Sequence, residues 1–455
     1  MDSSLNVIEV SRVTPSNTDS PESFTLPLTF YDLQWYKLHP GQLVIFYKLT
    51  DATRPFFDSV IVPKLKTSLS STLSHYLPLA GQLLWDTLDQ KPSVVYIPND
   101  AASFIVAESN ADFSRLTGKT PLPTAELHRL VPELTNADDS ATVVSFQVTL
   151  FPNQGFSIGK TIHHAVVDGK TTSMFLKAWA HTCKQLHDQT ANASLPQDLI
   201  PFYDRTVIKD PKDIEREILN LFSGGKEQEN LKSLKLFPSP EISPDIFRYT
   251  LELTREDIQT LRERLKRESQ SKELRLSTFV VIYSYALTCL IRARGGDPDR
   301  PVGFGFAVDF RSLVDPPVPS NYFGNCISGA LQTPFTAETF MGEEGFLAAA
   351  RHVSDSVEAL DGSVVLKIPE VLKGFMTLPQ GSQVLSAAWS TRFGVYGLDF
   401  GWGRPERVVF VSIDHGQGIS MAESRDGSGG VEVGFSLKKH EMDVLVDLLH
   451  EGLKK

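Results

Sequence analysis

The chain predicts an α+β protein, mixed sheets flanked by helices and divided into two domains, on three observations. Its 455 residues exceed what one hydrophobic core serves, since single cores stop growing near about 250–300 residues. Both halves hold short alternating stretches that read as antiparallel strands beside longer stretches with helical spacing, without regular strand–helix–strand winding. Between the halves, from Gln185 to about Ser239, the sequence turns polar and loop-forming, as a crossover between domains does. The expected division is 1–205, a crossover over 206–240, and 241–455.

The composition is that of a soluble globular chain, 41% hydrophobic and 22% charged. No apolar run is long enough for a membrane span, and the start Met1-Asp2-Ser3-Ser4 lacks the basic segment of a secretory signal. Cys183, Cys289 and Cys326 sit far apart with no paired spacing, which argues against a disulfide framework or zinc site. Reduced thiols in the cytosol are expected. A net charge of −11 argues against nucleic acid or an acidic membrane as partner, so an anionic substrate needs a local basic patch.

In the first half, segments 7–13 and 26–36 bracket a Ser/Pro/Asp-rich loop, 16–23. A helix over 60–75 is ended by the Pro and Gly of Tyr76-Leu77-Pro78-Leu79-Ala80-Gly81. Residues 143–151 alternate and are rich in β-branched and aromatic side chains; Pro152-Asn153-Gln154-Gly155 supplies a turn, and 156–164 returns as a second strand. Alternation puts Phe156, Ile158, Ile162 and His164 on one face, and Ser157, Gly159, Thr161 and His163 on the other. His164 thus points with the apolar set at a strand's end, where an imidazole can be oriented and shielded as a general base requires.

Asp168 follows four residues later, before Gly169 and a segment with Phe175, Ala178, Trp179 and Thr182 at helical spacing. Its carboxylate can fold back to hold the His164 tautomer, or point away and pin the turn through an arginine. Spacing alone allows both, and equally a core histidine beside a helix-capping aspartate.

In the second half, a strand over 247–253 precedes a charged helix, 255–268, and an apolar helix, 279–292. Ser277 or Thr278 caps the latter, and its backbone amides can meet a phosphate or serve the cap alone. Segments 407–413, 419–423 and 431–437, separated by Gly-rich turns, read as a β-meander closed by a helix over 441–453. No Gly-x-Ser-x-Gly string is present, and 303–308 lacks the third glycine of a dinucleotide loop.

Three further strings accompany His164 and Asp168: Asp309-Phe310-Arg311, Tyr322-Phe323-Gly324-Asn325-Cys326 and Asp399-Phe400-Gly401-Trp402-Gly403. Together they strongly resemble the plant BAHD acyl-CoA-dependent acyltransferases, with a likeness running from Val7 to the C-terminus. Tyr322–Cys326 is similar to the branch acting on anthocyanins and other phenolic glucosides. Segments 46–80, 148–155, 202–211 and 396–406 most closely resemble members that transfer hydroxycinnamoyl groups to anthocyanidin 3-O-glucosides.

The resemblance implies a chloramphenicol-acetyltransferase-like fold, two similarly folded domains around a solvent channel. Acyl-CoA as co-substrate and the acceptor sugar would meet at His164, with no metal or permanently bound cofactor, no macromolecular partner, and a monomer sufficient. It implies that Asp168 pairs with Arg311 and shapes the loop carrying His164, and that Ser277 and Thr278 lie near CoA. Asp399, sometimes treated as functional, reads here as part of a tight turn built by Gly401 and Gly403 around Trp402, with Phe400 beside it. Trp389 reaches the acyl pocket or packs half-buried; Cys326 reads as a buried thiol and His163 as a packing residue.

The chemistry fits these residues independently. A primary sugar hydroxyl becomes a competent nucleophile as His164 removes its proton, and the imidazolium returns that proton to the departing CoA thiolate. The leading expectation is hydroxycinnamoyl transfer (p-coumaroyl, caffeoyl or feruloyl) to the glucose 6″-hydroxyl of anthocyanidin 3-O-glucosides. The alternative is malonyl transfer to such glucosides. A malonyl carboxylate wants a cation in the acyl pocket; Thr172 stands where some malonyl-specific members of the family carry arginine, although Lys170 is close. More remote are a protein that binds acyl-CoA or a phenolic without turnover, and a peptide-synthetase condensation domain. The intact histidine and Asp399–Gly403 argue against both.

Overall fold

In the computed structural model the described residues are 4–16, 23–86, 88–188, 194–223, 232–238, 241–269, 274–416 and 418–454. The polar loops expected at 16–23 and 223–230 therefore fall almost wholly outside them. Among the described residues the strands, numbered in chain order, form three sheets. A six-stranded sheet runs β1 (Leu5–Val13), β6 (Ala102–Ser109), β9 (Val144–Phe151), β10 (Gly155–Ile162), β3 (Gly41–Lys48) and β15 (Arg407–Val409). A seven-stranded sheet runs β13 (Ile327–Thr336), β12 (Pro301–Asp309), β14 (Gln383–Ala388), β16 (Ile419–Glu423), β17 (Val431–Lys438), β11 (Ile246–Leu253) and β7 (Leu122–Pro123). A small sheet joins β2 (Phe24–Pro27), β5 (Ser93–Tyr96), β4 (Gln82–Leu84) and β8 (Ser140–Thr142). Both large sheets are mixed: β6 pairs parallel with β9, and β14 parallel with β12 and β16.

The predicted hairpin is β9–β10, in continuous register from Gly155↔Phe151 to Ile162↔Val144. Its turn uses Asn153 at φ +60°, a left-handed conformation that asparagine tolerates. The face carrying Ser157, Gly159 and Thr161 is as covered as the apolar one. Every residue of both strands is buried, because two layers cover the pair. Phe146 packs on Phe175 and Trp179 of the helix Gly169–His187, at 5.9 and 5.0 Å between ring centroids. On the other side Phe151 joins a second core with Val44, Phe46, Phe113, Leu127 and Leu130. β10 also stops at Ile162, so His163 and His164 lie just past the strand, where the chain turns: Val166 N–H donates to the His163 carbonyl at 3.0 Å.

Local periodicity locates most other elements. Helices occupy Val62–Leu73, Arg255–Ser269, Thr278–Arg294 and Lys439–Gly452; the first follows a wider π turn, Phe57–Ile61. The meander is not formed. β15 is only three residues long and pairs antiparallel with β3, Arg407↔Phe46 to Val409↔Val44, after which Val411–His415 coils into a 3₁₀ turn. β16 and β17 are left as a hairpin in the other sheet. β15 fills a free edge of the first sheet and is anchored there by buried Arg407, whose guanidinium lies 3.1 Å from Glu252 and 3.6 Å from Glu432. The exchange is reciprocal: β7, from the first half, pairs with β11 of the second. No helix among the described residues is long and apolar enough to cross a membrane.

Candidate active site

His164 stands between β10 and the helix Gly169–His187, half-buried, with its ring stacked on Trp35 at 4.4 Å and 13°. The stacking restrains the ring plane. Its Nδ1 is sealed from solvent without a well-formed hydrogen bond, leaving Nε2 as the nitrogen available to a substrate. Burial lowers the His164 pKa and the Lys160 ammonium adds to this, while its own carbonyl, Asp168 and Asn325 pull upward; the net effect is below the ordinary histidine value. The imidazole is therefore neutral at pH 7, the form that accepts a proton. His163 is fully buried; its Nδ1 accepts the Ala165 N–H at 3.3 Å, and burial drops its pKa to about 4.

Asp168 turns away from this imidazole. One carboxylate oxygen accepts the Thr171 N–H at 2.8 Å and caps the helix; the other lies 2.8 Å from Arg311 and accepts the Cys326 N–H at 3.1 Å. Burial would raise its pKa, but Arg311 and these N–H groups outweigh it and hold the carboxyl below the usual carboxylate range. Arg311 is shared with Asp309, at 3.0 Å, and donates to the Gly324 carbonyl at 3.2 Å. Asp168 and Arg311 are thus brought together, at the root of the loop rather than at its reactive tip.

Tyr322–Cys326 stitches that loop to a second buried carboxylate. Asn325 donates its backbone N–H to Asp32 Oδ1 at 2.8 Å, and its side-chain amide to Asp32 at 3.0 Å and to the His164 carbonyl at 2.9 Å. Gly324 sits at φ +133°, and a β-carbon there would lie 2.2 Å from the Arg205 guanidinium, which itself donates to the Phe323 carbonyl at 2.9 Å. Cys326 is buried, and burial pushes its thiol pKa up, away from nucleophile chemistry.

The remaining predicted residues lie in three places. Asp399 accepts the N–H groups of Gly401 and Gly403 at 2.8 and 3.0 Å, with those glycines at φ +103° and +90°, and pairs with Lys184 at 2.6 Å. Phe400 is buried against Trp179 and Tyr47, and Trp402 stands edge-on to Phe156 at 5.6 Å. The turn therefore braces the helix after Asp168, and none of these partners is His164. Ser277 caps the helix Thr278–Arg294 by accepting the Val280 N–H at 3.2 Å, and exposed Thr278 accepts from Arg262 at 3.3 Å. Trp389 is half-buried against Phe410 and Phe393, at the unusual φ of +67° for a non-glycine residue. Thr172 is buried on the helix, and Lys170 lies 3.7 Å from Asp309.

Sequence reasoning missed Asp32, Trp35, the contacts of Asn325 beyond its own string, and Lys160. The first three reach His164 or its loop across more than a hundred residues of chain, which no local pattern reveals. Lys160 was within reach: alternation from His164 places it on the same face of β10. Among the described residues no group of three His, Cys, Asp or Glu side chains is placed to hold a metal ion. What the site offers is an oriented, neutral imidazole on a loop fixed by two buried carboxylates.

The sequence profile of the Transferase family matches residues 3–450. Phenolic glucoside malonyltransferase 1 of Arabidopsis thaliana is 73% identical over 100% of this chain and 99% of its own. Malonyl-CoA:anthocyanidin 5-O-glucoside-6″-O-malonyltransferase of the same plant is 50% identical, over 99% of each chain. Coumaroyl-CoA:anthocyanidin 3-O-glucoside-6″-O-coumaroyltransferase 2, also of Arabidopsis thaliana, is 31% identical over 99% and 98%. The crystal structure of vinorine synthase superposes with a TM-score of 0.70 over 98% of both chains at 21% identity, a likeness of fold.

Proposed function

The chain belongs to the BAHD branch of the Transferase family, an acyl-CoA-dependent acyltransferase, and from that premise we propose that it moves a malonyl group from malonyl-CoA to the glucose 6-hydroxyl of a phenolic glucoside. The observation that carries this reading is the 73% identity, end to end, with a phenolic glucoside malonyltransferase, against 31% with a coumaroyltransferase. The expected hydroxycinnamoyl donor gives way to the malonyl alternative for a physical reason. The stretches behind it are mostly scaffold: 46–80 and 148–155 cover parts of β3, β9, β10 and the helix Val62–Leu73, and 396–406 is the Asp399 turn. Segments that build the frame say little about which acyl group is carried.

His164 Nε2 takes the proton of the sugar hydroxyl as that oxygen attacks the thioester carbonyl. The C–S bond of the resulting tetrahedral adduct then breaks, and the imidazolium returns the proton to the CoA thiolate. The balance is ester plus CoA–SH, with no acyl-enzyme. General-base help supplies about 10²–10⁴-fold, and alignment and oxyanion stabilisation the rest. Asp168, Arg311, Asp32 and Asn325 act by holding the His164 loop. Ser277 and Thr278, exposed at a helix N-terminus beside Arg262, suit a CoA phosphate.

The test is purified protein with a phenolic glucoside and equal malonyl-, acetyl- and p-coumaroyl-CoA, read by mass spectrometry. Malonylated glucoside is the expected dominant product; a coumaroylated product in its place would overturn the donor assignment.

A further inference from the structure

Lys160 is a buried cation that the mechanism above leaves unused. It lies on β10, four residues before His164 and on the face that carries Ile158 and Ile162, and only 1% of it is exposed. The arginines sequestered here face acids. Arg311 has Asp168 at 2.8 Å, Arg407 has Glu252 at 3.1 Å, Arg248 has Asp414 at 3.5 Å and Arg205 has Asp32 at 3.6 Å. Among the described residues Lys160 Nζ finds only the Gly41 carbonyl, at a long 3.4 Å, and the Trp389 ring, its centroid 5.7 Å away. Burial with no compensating acid brings its pKa down to about 7. A buried charge without a partner is costly, and one beside a reactive histidine marks a place where a ligand supplies the partner.

The surroundings say which part of a ligand. Trp389 holds a left-handed backbone conformation, and such outliers gather at ligand clamps. Its ring bridges Lys160 to Phe393, and Phe393 closes over Gly169, next to Asp168, where a β-carbon would come within 2.7 Å of it. Lys160 is near enough to His164 to depress its pKa. A group bound by Lys160 therefore lies in the buried interior on the His164 side of β10, a place that suits the far end of a short acyl group rather than a CoA phosphate. Of the two residues considered from the sequence, Thr172 is uncharged, and Lys170 is more than a third exposed with Asp309 at 3.7 Å.

We propose that Lys160 Nζ binds the free carboxylate of the malonyl group, with Trp389 as the wall of that pocket, and so selects malonyl-CoA over uncharged short acyl donors. This rests on the malonyl-transfer reading above. The readout is the ratio of kcat/KM for malonyl-CoA to that for acetyl-CoA, in the wild type, Lys160→Met and Lys160→Arg. Methionine keeps the stem and removes the charge; a charge-assisted hydrogen bond is worth about 10- to 100-fold, so the ratio should fall by that factor. Arginine should keep most of it. If Lys160→Met turns over neither donor, calorimetric affinities of the two CoA esters give the same ratio without chemistry.

A high wild-type ratio that Lys160→Met leaves unmoved would overturn the Lys160 assignment and spare the malonyl reading. A wild-type ratio near one would overturn the malonyl reading itself. A loss of rate equal for both donors would make Lys160 a support for His164 and sink the proposal as well.

Discussion

At the scale of the residue, two groups four apart divide the work. His164 carries the chemistry, and removing it should lower kcat by about 10²–10⁴-fold while leaving the melting temperature in place. Its pKa is pushed below the ordinary value by burial and by Lys160, and the neutral form is the active one. Read at saturating donor, kcat should therefore show an acid limb only as pH falls through that lowered pKa; an acid limb centred above 6.5 would contradict the assignment. Asp168→Asn should act differently. It strands buried Arg311 without its 2.8 Å partner, and breaking a buried ion pair costs about 3–5 kcal/mol. Chemical denaturation should show that loss together with the loss of rate; a lower rate at full stability would give Asp168 a catalytic part.

His164, Asp168 and Arg311 were legible because their residue types recur in fixed strings. Asn325 was legible as a letter of such a string but not as the donor to the His164 carbonyl, since that contact spans 161 residues. Lys160 was passed over because a lysine in a strand ordinarily marks a solvent edge, whereas β10 is central and covered on both faces.

At the scale of the element, the Asp399 turn shows how a conserved-looking acid can serve geometry. One oxygen gathers two glycine N–H groups and the other meets Lys184 on the helix that Asp168 caps. Asp399→Asn keeps an oxygen for the turn and loses only an exposed ion pair worth about 0–1 kcal/mol. It should retain activity within a few-fold and melt close to the wild type, whereas Asp399→Ala should lower both. Equal inactivity of the two variants, with the fold intact, would mean that the negative charge itself takes part. Hairpin, helices and caps were readable here from local periodicity. β15 was misjudged because the choice between β16 and β3 as its neighbour depends on which edge the rest of the fold leaves open.

At the scale of the whole molecule, each large sheet holds a strand from the other half: β15 lies on β3, and β7 on β11. Buried Arg407, between Glu252 and Glu432, adds a charged clasp at this seam. The halves should therefore unfold together, and calorimetry should record one cooperative transition; two resolved peaks would show that the exchanged strands contribute little. The fold class was readable from the alternation of elements, but not this interlocking, which no stretch of either half announces.

The exchange also sets a timetable. β3 leaves the ribosome early, yet the strand that covers its edge follows roughly 360 residues later, about 20–70 s of synthesis at ~5–20 residues per second. Through that interval Val44, Ile45 and Phe46 present an open, apolar sheet edge. A nascent chain of this protein must be shielded there until Arg407–Val409 arrives, and any truncation before residue 407 would make that exposure permanent.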